Sequence, residues 1–396
     1  MRPFRSVWTD VQKLPRPAWV LFAGTFINRF GGFVLPFLVL YLTRRGYSAF
    51  EAGAALSLYG VGSMGANLFG GHLADRVGRR NTIALSMFSS AATLLTLSQL
   101  TSLAPILALT FLAGVTAELY RPAAAALIAD LTPNGERVTA YALYRLAVNA
   151  GFAAGPAVAG LIAERSFLSL FVIDAVTSVI YGIIVLRMLP RETRPGFART
   201  SARDLSALRV VLADRRFATL LIASALISFV FQQGYATLPL HVRAIGHSTT
   251  LYGDLMSLNG ALIIVLELWL TGVTRRFAPR VAIAAGLLLI GVGYGSTGFA
   301  HTTATMAATV VVWTFGEMCF SPVASAYVAD IAPDDMRGRY QGLFALTFSF
   351  GMVMAPIGGT ALLGIDPRLL WGVCLGLGVF AAMLVTANAR RAAIAA

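Results

Sequence analysis

Long apolar runs broken by short clusters of glycine, proline and charge set the pattern of this chain of 396 residues. No charged residue stands between Arg80 and Glu118, between Arg280 and Glu317, or between Arg216 and Arg243. A bilayer core of about 30 Å is crossed by roughly 20 apolar helical residues, so each of the first two stretches holds two spans. With Gly, Pro and charge as boundaries, the pattern predicts twelve membrane helices: 18–42, 50–71, 82–101, 104–128, 138–163, 167–188, 217–242, 250–271, 281–300, 304–329, 339–363 and 367–388. Strands are excluded, because the runs are too long and lack alternation, while a helix satisfies its own backbone in lipid.

Composition agrees with this all-α membrane reading. The chain is 57% hydrophobic and 12% charged, with a mean hydropathy of +0.73. Soluble domains carry about 25% charge, so a soluble enzyme or a soluble DNA-binding protein is excluded. The net charge of +13 would suggest nucleic acid in a soluble chain. Here it follows sidedness. With the N-terminus inside, most of the 31 Lys and Arg fall on cytoplasmic segments, which predicts a multi-pass inner-membrane protein with both termini cytoplasmic and no nucleic-acid partner.

Eight arginines between Arg187 and Arg216 mark residues 189–216 as a cytoplasmic linker between two six-helix bundles, 1–188 and 217–396. That linker reads as a solvated segment with one surface helix, the alternative being a regulatory or lipid-headgroup site. Arg2, Arg5, Lys13 and Arg16 precede the first apolar run without a cleavage signal, and that run is a full span rather than a signal-peptide core. Cys319 and Cys374 lie in apolar segments and give neither a disulfide framework nor a metal site; His72, His241, His247 and His301 are scattered. No P-loop is present, so the chain does not itself hydrolyse ATP, and no metal or cofactor is expected.

The halves are related. Shifting the chain by 200 residues superposes Pro122 on Pro322, Asp130 on Asp330, Pro133 on Pro333, Arg137 on Arg337, Gly151 on Gly351 and Pro156 on Pro356. The same shift matches Gly53 with Gly253, Gly60 with Gly260, Arg76 with Arg276 and Arg80 with Arg280. Six spans per repeat keep both repeats in the same orientation, an architecture of secondary transporters.

After the second span the chain reads Gly71-His-Leu-Ala-Asp75-Arg76-Val-Gly78-Arg79-Arg80. Glycines allow helices to approach around a short turn, and one acid among three arginines can form ion pairs that change as helices move. This segment resembles the signature loop of the major facilitator superfamily, G-x-L-a-D-r-x-G-r-R. The resemblance implies two six-helix repeats, alternating access and a cytoplasmic gate in which Asp75, with Arg76, Arg79 and Arg80, meets Asp130 and the segment near Arg339. The matching segment of the second half, Gly272 to Arg280, keeps basic residues but lacks the acid, so the gate is expected to be asymmetric.

The fifth span contains Gly151, Gly155, Pro156 and Gly160. By physics alone this is a small-residue packing face with a bend. It also resembles the G-x-x-x-G-P-x-x-G antiporter motif of the superfamily's exporters. The arginine such exporters carry in the fourth span is Thr110 here, which departs from their proton relay.

Charges inside spans are costly and mark pathways. Glu118 and Arg121 share one face of the fourth span before Pro122 and either pair with each other or form a proton site tuned by Arg121 or Arg145. Glu317, Glu267 and Asp174 are the other candidate proton carriers. Arg29, beside Asn28, either binds a substrate anion or compensates an acid. The resemblance implies that the first, fourth, seventh and tenth spans line the cavity, with Asn28, Arg29, Gln232, Gln233, Tyr235 and Trp313; their neighbours add Tyr59, Tyr144, Asn149, Asn259 and Phe348. Aromatic residues there suit an amphipathic substrate.

The expected function is a proton-coupled exporter of small amphipathic molecules or drugs, acting as a monomer in the bilayer. The alternative is a proton-coupled symporter or carrier of an anionic or zwitterionic nutrient, peptide or lipid head group. A membrane enzyme would need a catalytic constellation that the sequence lacks.

Overall fold

The computed structural model describes residues 12–132, 137–190, 214–274, 276–333 and 337–394. All regular structure among them is helical. In chain order the helices are α1 (Arg16–Phe30), α2 (Val34–Arg44), α3 (Ala49–Val77), α4 (Arg79–Gln99), α5 (Leu103–Glu118), α6 (Tyr120–Leu131), α7 (Arg137–Arg165) and α8 (Phe167–Met188). They continue with α9 (Arg215–Phe231), α10 (Gln233–Ala236), α11 (Leu238–Ala244), α12 (Thr249–Thr274), α13 (Pro279–Ser296), α14 (Thr303–Ile331), α15 (Arg337–Ile365) and α16 (Pro367–Ile394).

The pattern predicts twelve spans; ten helical segments among the described residues are long and apolar enough to cross a bilayer. The two that fall outside that count are α3 and α4, of 29 and 21 residues. At 1.5 Å per residue the shorter is still ~31 Å long. Their composition lowers them: α3 carries Asn67, His72, Asp75 and Arg76, and α4 is rich in Ser and Thr.

Three predicted spans are interrupted. The first breaks at residues 31–33, between α1 and α2. The fourth breaks at Leu119, because Pro122 has no N–H to bond the Glu118 carbonyl. The seventh divides into α9, α10 and α11, with Pro239 removing the bond to Tyr235. The segment read as a loop after the second span is almost wholly helical: Gly71, Asp75 and Arg76 belong to α3, and Gly78 alone separates α3 from α4. Its φ of 93° is a conformation that favours glycine. Of the expected linker 189–216, residues 191–213 lie outside the described set; Asp214 caps α9 by accepting from Arg216 N at 2.9 Å and Phe217 N at 3.3 Å.

The chain divides into two compact units, Met1–Leu38 with Leu58–Arg199 and Val39–Ser57 with Thr200–Ala396. In the first, α1 packs on α7 and α8, and α4 on α5, α6 and α8. Its core gathers Leu21, Phe22, Met87, Tyr120, Leu127 and Tyr181. Glycines set the spacing of α3 and α5: a Cβ on Gly114 would meet Tyr59 O, and one on Gly62 would meet Phe111 O.

In the second unit, α13 packs on α14 and α16, and α9 on α15 and α16. Residues 39–57 join this unit, where Gly53 lies so close to Pro356 O and Thr360 that a Cβ would not fit. Local structure repeats with the sequence. Gly46 (φ 92°) and Gly246 (φ 89°) end matching turns, Tyr141 Oη donates to Ala125 O at 2.8 Å, and Gln341 Nε2 donates to Ser325 O at 2.9 Å. Large apolar side chains such as Leu161, Val265, Trp269 and Met383 are exposed, as a lipid-facing surface requires.

Candidate functional site

The break before Pro122 gathers Glu118, Tyr120 and Arg121. Glu118 Oε2 lies 2.7 Å from Arg121 Nε, and its Oε1 lies 3.7 Å from Arg29 Nη2. Arg29 Nε donates to Tyr120 Oη at 2.9 Å. Its guanidinium stands over two rings, 5.3 Å from the Tyr120 centroid and 5.6 Å from that of Phe152, an arrangement favourable for a desolvated cation. The Glu118 and Arg29 side chains are 5% and 12% exposed, whereas Arg121 is 42% exposed. One carboxylate is thus held between an enclosed arginine and one that reaches outward. Arg29 Nη2 makes no hydrogen bond.

Small residues bring Arg29 to this point. On α7, a Cβ at Gly151 would stand 2.7 Å from Arg29 Cβ and 2.8 Å from Phe30 N, and one at Gly155 would stand 2.6 Å from Phe30 O. The stripe expected in the fifth span therefore packs directly on the backbone that carries Arg29. Pro156 lies inside α7, and Gly160 lies on the same helix.

From the other side, α8 presents a polar face. Residues spaced by three, four and seven share one side of a helix, and Asp174, Thr177, Ser178 and Tyr181 follow that spacing. Asp174 Oδ2 accepts from Val34 N at 3.1 Å, the first N–H of α2 and a donor with no partner in its own helix. Thr177 fills the place of a Cβ at Gly31. Asn28 Nδ2 donates to Ser178 Oγ at 3.2 Å, and Thr25 Oγ1 lies 3.2 Å from Tyr181 Oη. The interrupted first span is thereby fastened to α8 along its length.

Between these elements lies a cavity of about 710 Å³, open mouth included. Asn28, Arg29, Tyr59, Glu118, Asp174 and Ser178 give it polar walls; Met87, Leu94, Leu97 and Phe152 give apolar ones, and Thr110 also lines it. The sequence-predicted residues Asn28, Arg29, Tyr59, Glu118 and Asp174 are thus brought together. Tyr144 packs half-buried against the core of this unit. Asn149 and Arg145 lie on α7 and are not among the residues lining the cavity.

The second unit holds the others. Asn259 Nδ2 donates to Glu317 Oε2 at 3.0 Å and to Thr314 Oγ1 at 3.1 Å. Gln233 is fully buried and bonded: Nε2 donates to Ala355 O and Phe229 O, both at 3.2 Å, and Oε1 accepts from Thr237 Oγ1 at 2.9 Å. Trp313 is buried between Tyr294, stacked at 5.2 Å, and Phe231, edge-on at 5.9 Å. Gln232 is buried at the α9–α10 break, Tyr235 lies in α10, Glu267 lies half-buried in α12, and Phe348 is exposed on α15.

At the α3–α4 junction, Arg79 forms an ion pair with Asp130 and its Nη1 donates to Ala126 O at 3.2 Å. Buried Arg80 donates to Val185 O at 3.3 Å and to Leu186 O, the last carbonyls of α8. Asp75 is half-buried and Arg76 exposed; the Arg339 side chain lies outside the described set. Sequence reasoning missed Tyr120, Phe152 and Ser178. Tyr120 had a signal, since it sits between Glu118 and Arg121; Phe152 and Ser178 had none beyond helical spacing. Among the described residues no group of His, Cys, Asp and Glu is arranged to hold a metal.

A family model for the Major Facilitator Superfamily matches residues 21–283 and 238–393. The chain is 25% identical to a Na(+), Li(+), K(+)/H(+) antiporter of Planococcus maritimus over 84% of its length and 86% of that protein. It is 25% identical to the multidrug resistance protein MdtH of Aeromonas hydrophila, over 93% of its length and 94% of the relative. A crystal structure of nucleoside transporter NupG superposes with a TM-score of 0.79 at 17% identity, covering 94% of this chain and 99% of that one, a likeness of fold.

Proposed function

The chain belongs to the major facilitator superfamily, and from that premise we propose that this membrane transporter is a proton-coupled exporter of small amphipathic molecules. The observation that carries the reading is Glu118, enclosed on the cavity wall between Arg29 and Arg121. An ionised Glu118 is held by both cations; a proton on it cancels that attraction and leaves Arg29 without its counter-charge. Because Arg29 rides on the first span and Glu118 on the fourth, loading or losing one proton changes the force between the two helices. The mixed polar and aromatic lining suits an amphipathic substrate, and a relative named for multidrug resistance supports export. In the same reading both termini are cytoplasmic, the two six-helix halves move in alternating access, and Asp75, Arg79 and Asp130 serve the gate.

One observation favours a second reading. Arg29 Nη2 is unbonded beside the cavity, so a protonated Glu118 leaves an arginine ready to hold a carboxylate or phosphate. That chemistry describes symport of an anionic or zwitterionic substrate with a proton.

Proteoliposomes with a trapped pH dye separate the two. Export predicts that adding ethidium to one side drives protons out of the other, and that Glu118→Gln abolishes this exchange. Co-directional movement of proton and substrate overturns antiport, and normal coupling in the Glu118→Gln variant overturns the role of Glu118.

A further inference from the structure

The repeat places Arg80 and Arg280 at equivalent positions, yet they are used differently. Arg80 is bound to the terminal carbonyls of α8. Arg280 donates only through Nε, to Tyr327 Oη at 3.0 Å, with its guanidinium 5.8 Å from the ring centroid. Its Nη1 and Nη2 bond nothing among the described residues. A pocket opens beside it, lined by Arg216, Thr219 and Leu220 of α9, Arg280 and Ile283 of α13, Tyr327 of α14 and Val385 of α16.

No carboxylate lines this pocket. Asp214 is committed elsewhere, capping α9 through Oδ1 and accepting from Tyr340 Oη through Oδ2 at 3.3 Å. Asp330, one turn beyond Tyr327, is not among the lining residues. The Arg216 side chain is exposed and, like the free arm of Arg280, has no anionic partner among the described residues. Two guanidinium groups and a phenol thus rim a cleft floored by Leu220, Ile283 and Val385. Guanidinium pairs fit phosphate oxygens in a bidentate manner.

Arg216 and Arg280 stand in the first turns of α9 and α13, where those segments enter the bilayer and lipid head groups lie. The same helices and α16 carry large exposed apolar side chains, Ile222, Val281 and Met383. We propose that this pocket binds the phosphate of an anionic phospholipid, with Arg216 and Arg280 on the head group and the apolar flanks along its chains.

The test is thermal unfolding of the full chain in nanodiscs of phosphatidylcholine, with and without phosphatidylglycerol. Wild type is expected to gain several degrees with phosphatidylglycerol, and Arg216→Gln/Arg280→Gln to lose at least half of that gain, each measured against the same protein in phosphatidylcholine alone. Arg276→Gln, an exposed arginine outside the pocket, is expected to keep the full gain. Arg280→Lys, which retains charge without the fork, is expected to fall between wild type and the double variant. An undiminished gain in the double variant overturns the site, as does an equal loss in Arg276→Gln. Full stabilisation by millimolar inorganic phosphate without phosphatidylglycerol overturns the lipid as occupant.

Discussion

Asp174 accepts a 3.1 Å hydrogen bond from the backbone N–H of Val34, so a carboxylate of the sixth span closes the gap in the first. A helix start leaves its N–H groups unpaired, and a negative charge there is favoured by the helix dipole. Without Asp174 the interruption at residues 31–33 would expose a buried donor.

Asp174→Ala is therefore expected to destabilise the fold by about 1–3 kcal/mol, the cost of a buried donor without an acceptor. Asp174→Asn keeps an acceptor oxygen and is expected to lose less than half as much. Denaturant unfolding in detergent followed by tryptophan fluorescence measures both; equal losses would show that charge rather than the hydrogen bond matters.

Gly151→Ala brings a methyl group against Arg29 Cβ and Phe30 N, where α1 has no room to yield without moving its backbone. We expect about 1–3 kcal/mol of destabilisation from such overpacking, together with a fall in transport of roughly tenfold as Arg29 is displaced, since 1.4 kcal/mol is a factor of ten. Gly71→Ala is the contrasting case. Open space surrounds its added methyl, and a mid-helix alanine is favoured over glycine by about 0.5–1 kcal/mol. Melting temperatures of the two purified variants should move in opposite directions.

Glu118→Gln removes the charge between Arg29 and Arg121. Proton-driven transport in vesicles is expected to fall at least tenfold, while substrate binding at equilibrium survives. Glu317→Gln has a different setting: Glu317 accepts a hydrogen bond from the neutral amide of Asn259 at 3.0 Å, which a glutamine oxygen can also accept. Its transport loss should be the smaller of the two, and a larger loss would move the coupling site to the second unit.

Gly78→Ala forces a side chain into a left-handed backbone at φ 93°, a strain of about 1–2 kcal/mol. A lower melting temperature should accompany it. Asp75→Asn, by contrast, is expected to leave melting unchanged and to slow turnover more than binding, which a split between maximal rate and half-saturating concentration would reveal.

Charge scarcity and punctuation made the helices legible, because in lipid the backbone allows little else. The repeat was legible too, in pairs such as Pro156 with Pro356 and Gly151 with Gly351, and the structure adds Gly46 and Gly246, both at positive φ. Glu118 with Arg121 could be paired from helical spacing alone. The rest of the site could not. Arg29 meets Glu118 only because Gly151 and Gly155 let α1 approach α7, and Asp174 binds a backbone N–H, which has no letter in the sequence. The resemblance implies that Gln233 and Trp313 line the cavity; which partners they take was not legible, and in the structure the first is bonded to the backbone of α15 and the second stacks on Tyr294.

The gap at residues 31–33 also sets how the first span can bend. A continuous helix must give up backbone hydrogen bonds to change its angle sharply, whereas here Val34 N, the first donor of α2, is already held by Asp174 instead of the preceding turn. Within the first unit, three contacts resist a swing of the start of α2 against α1: Thr177 against Gly31, Asp174 on Val34, and the bond from Phe33 N to Gly31 O. Motion of that segment should accordingly show a lower activation enthalpy than bending an unbroken span.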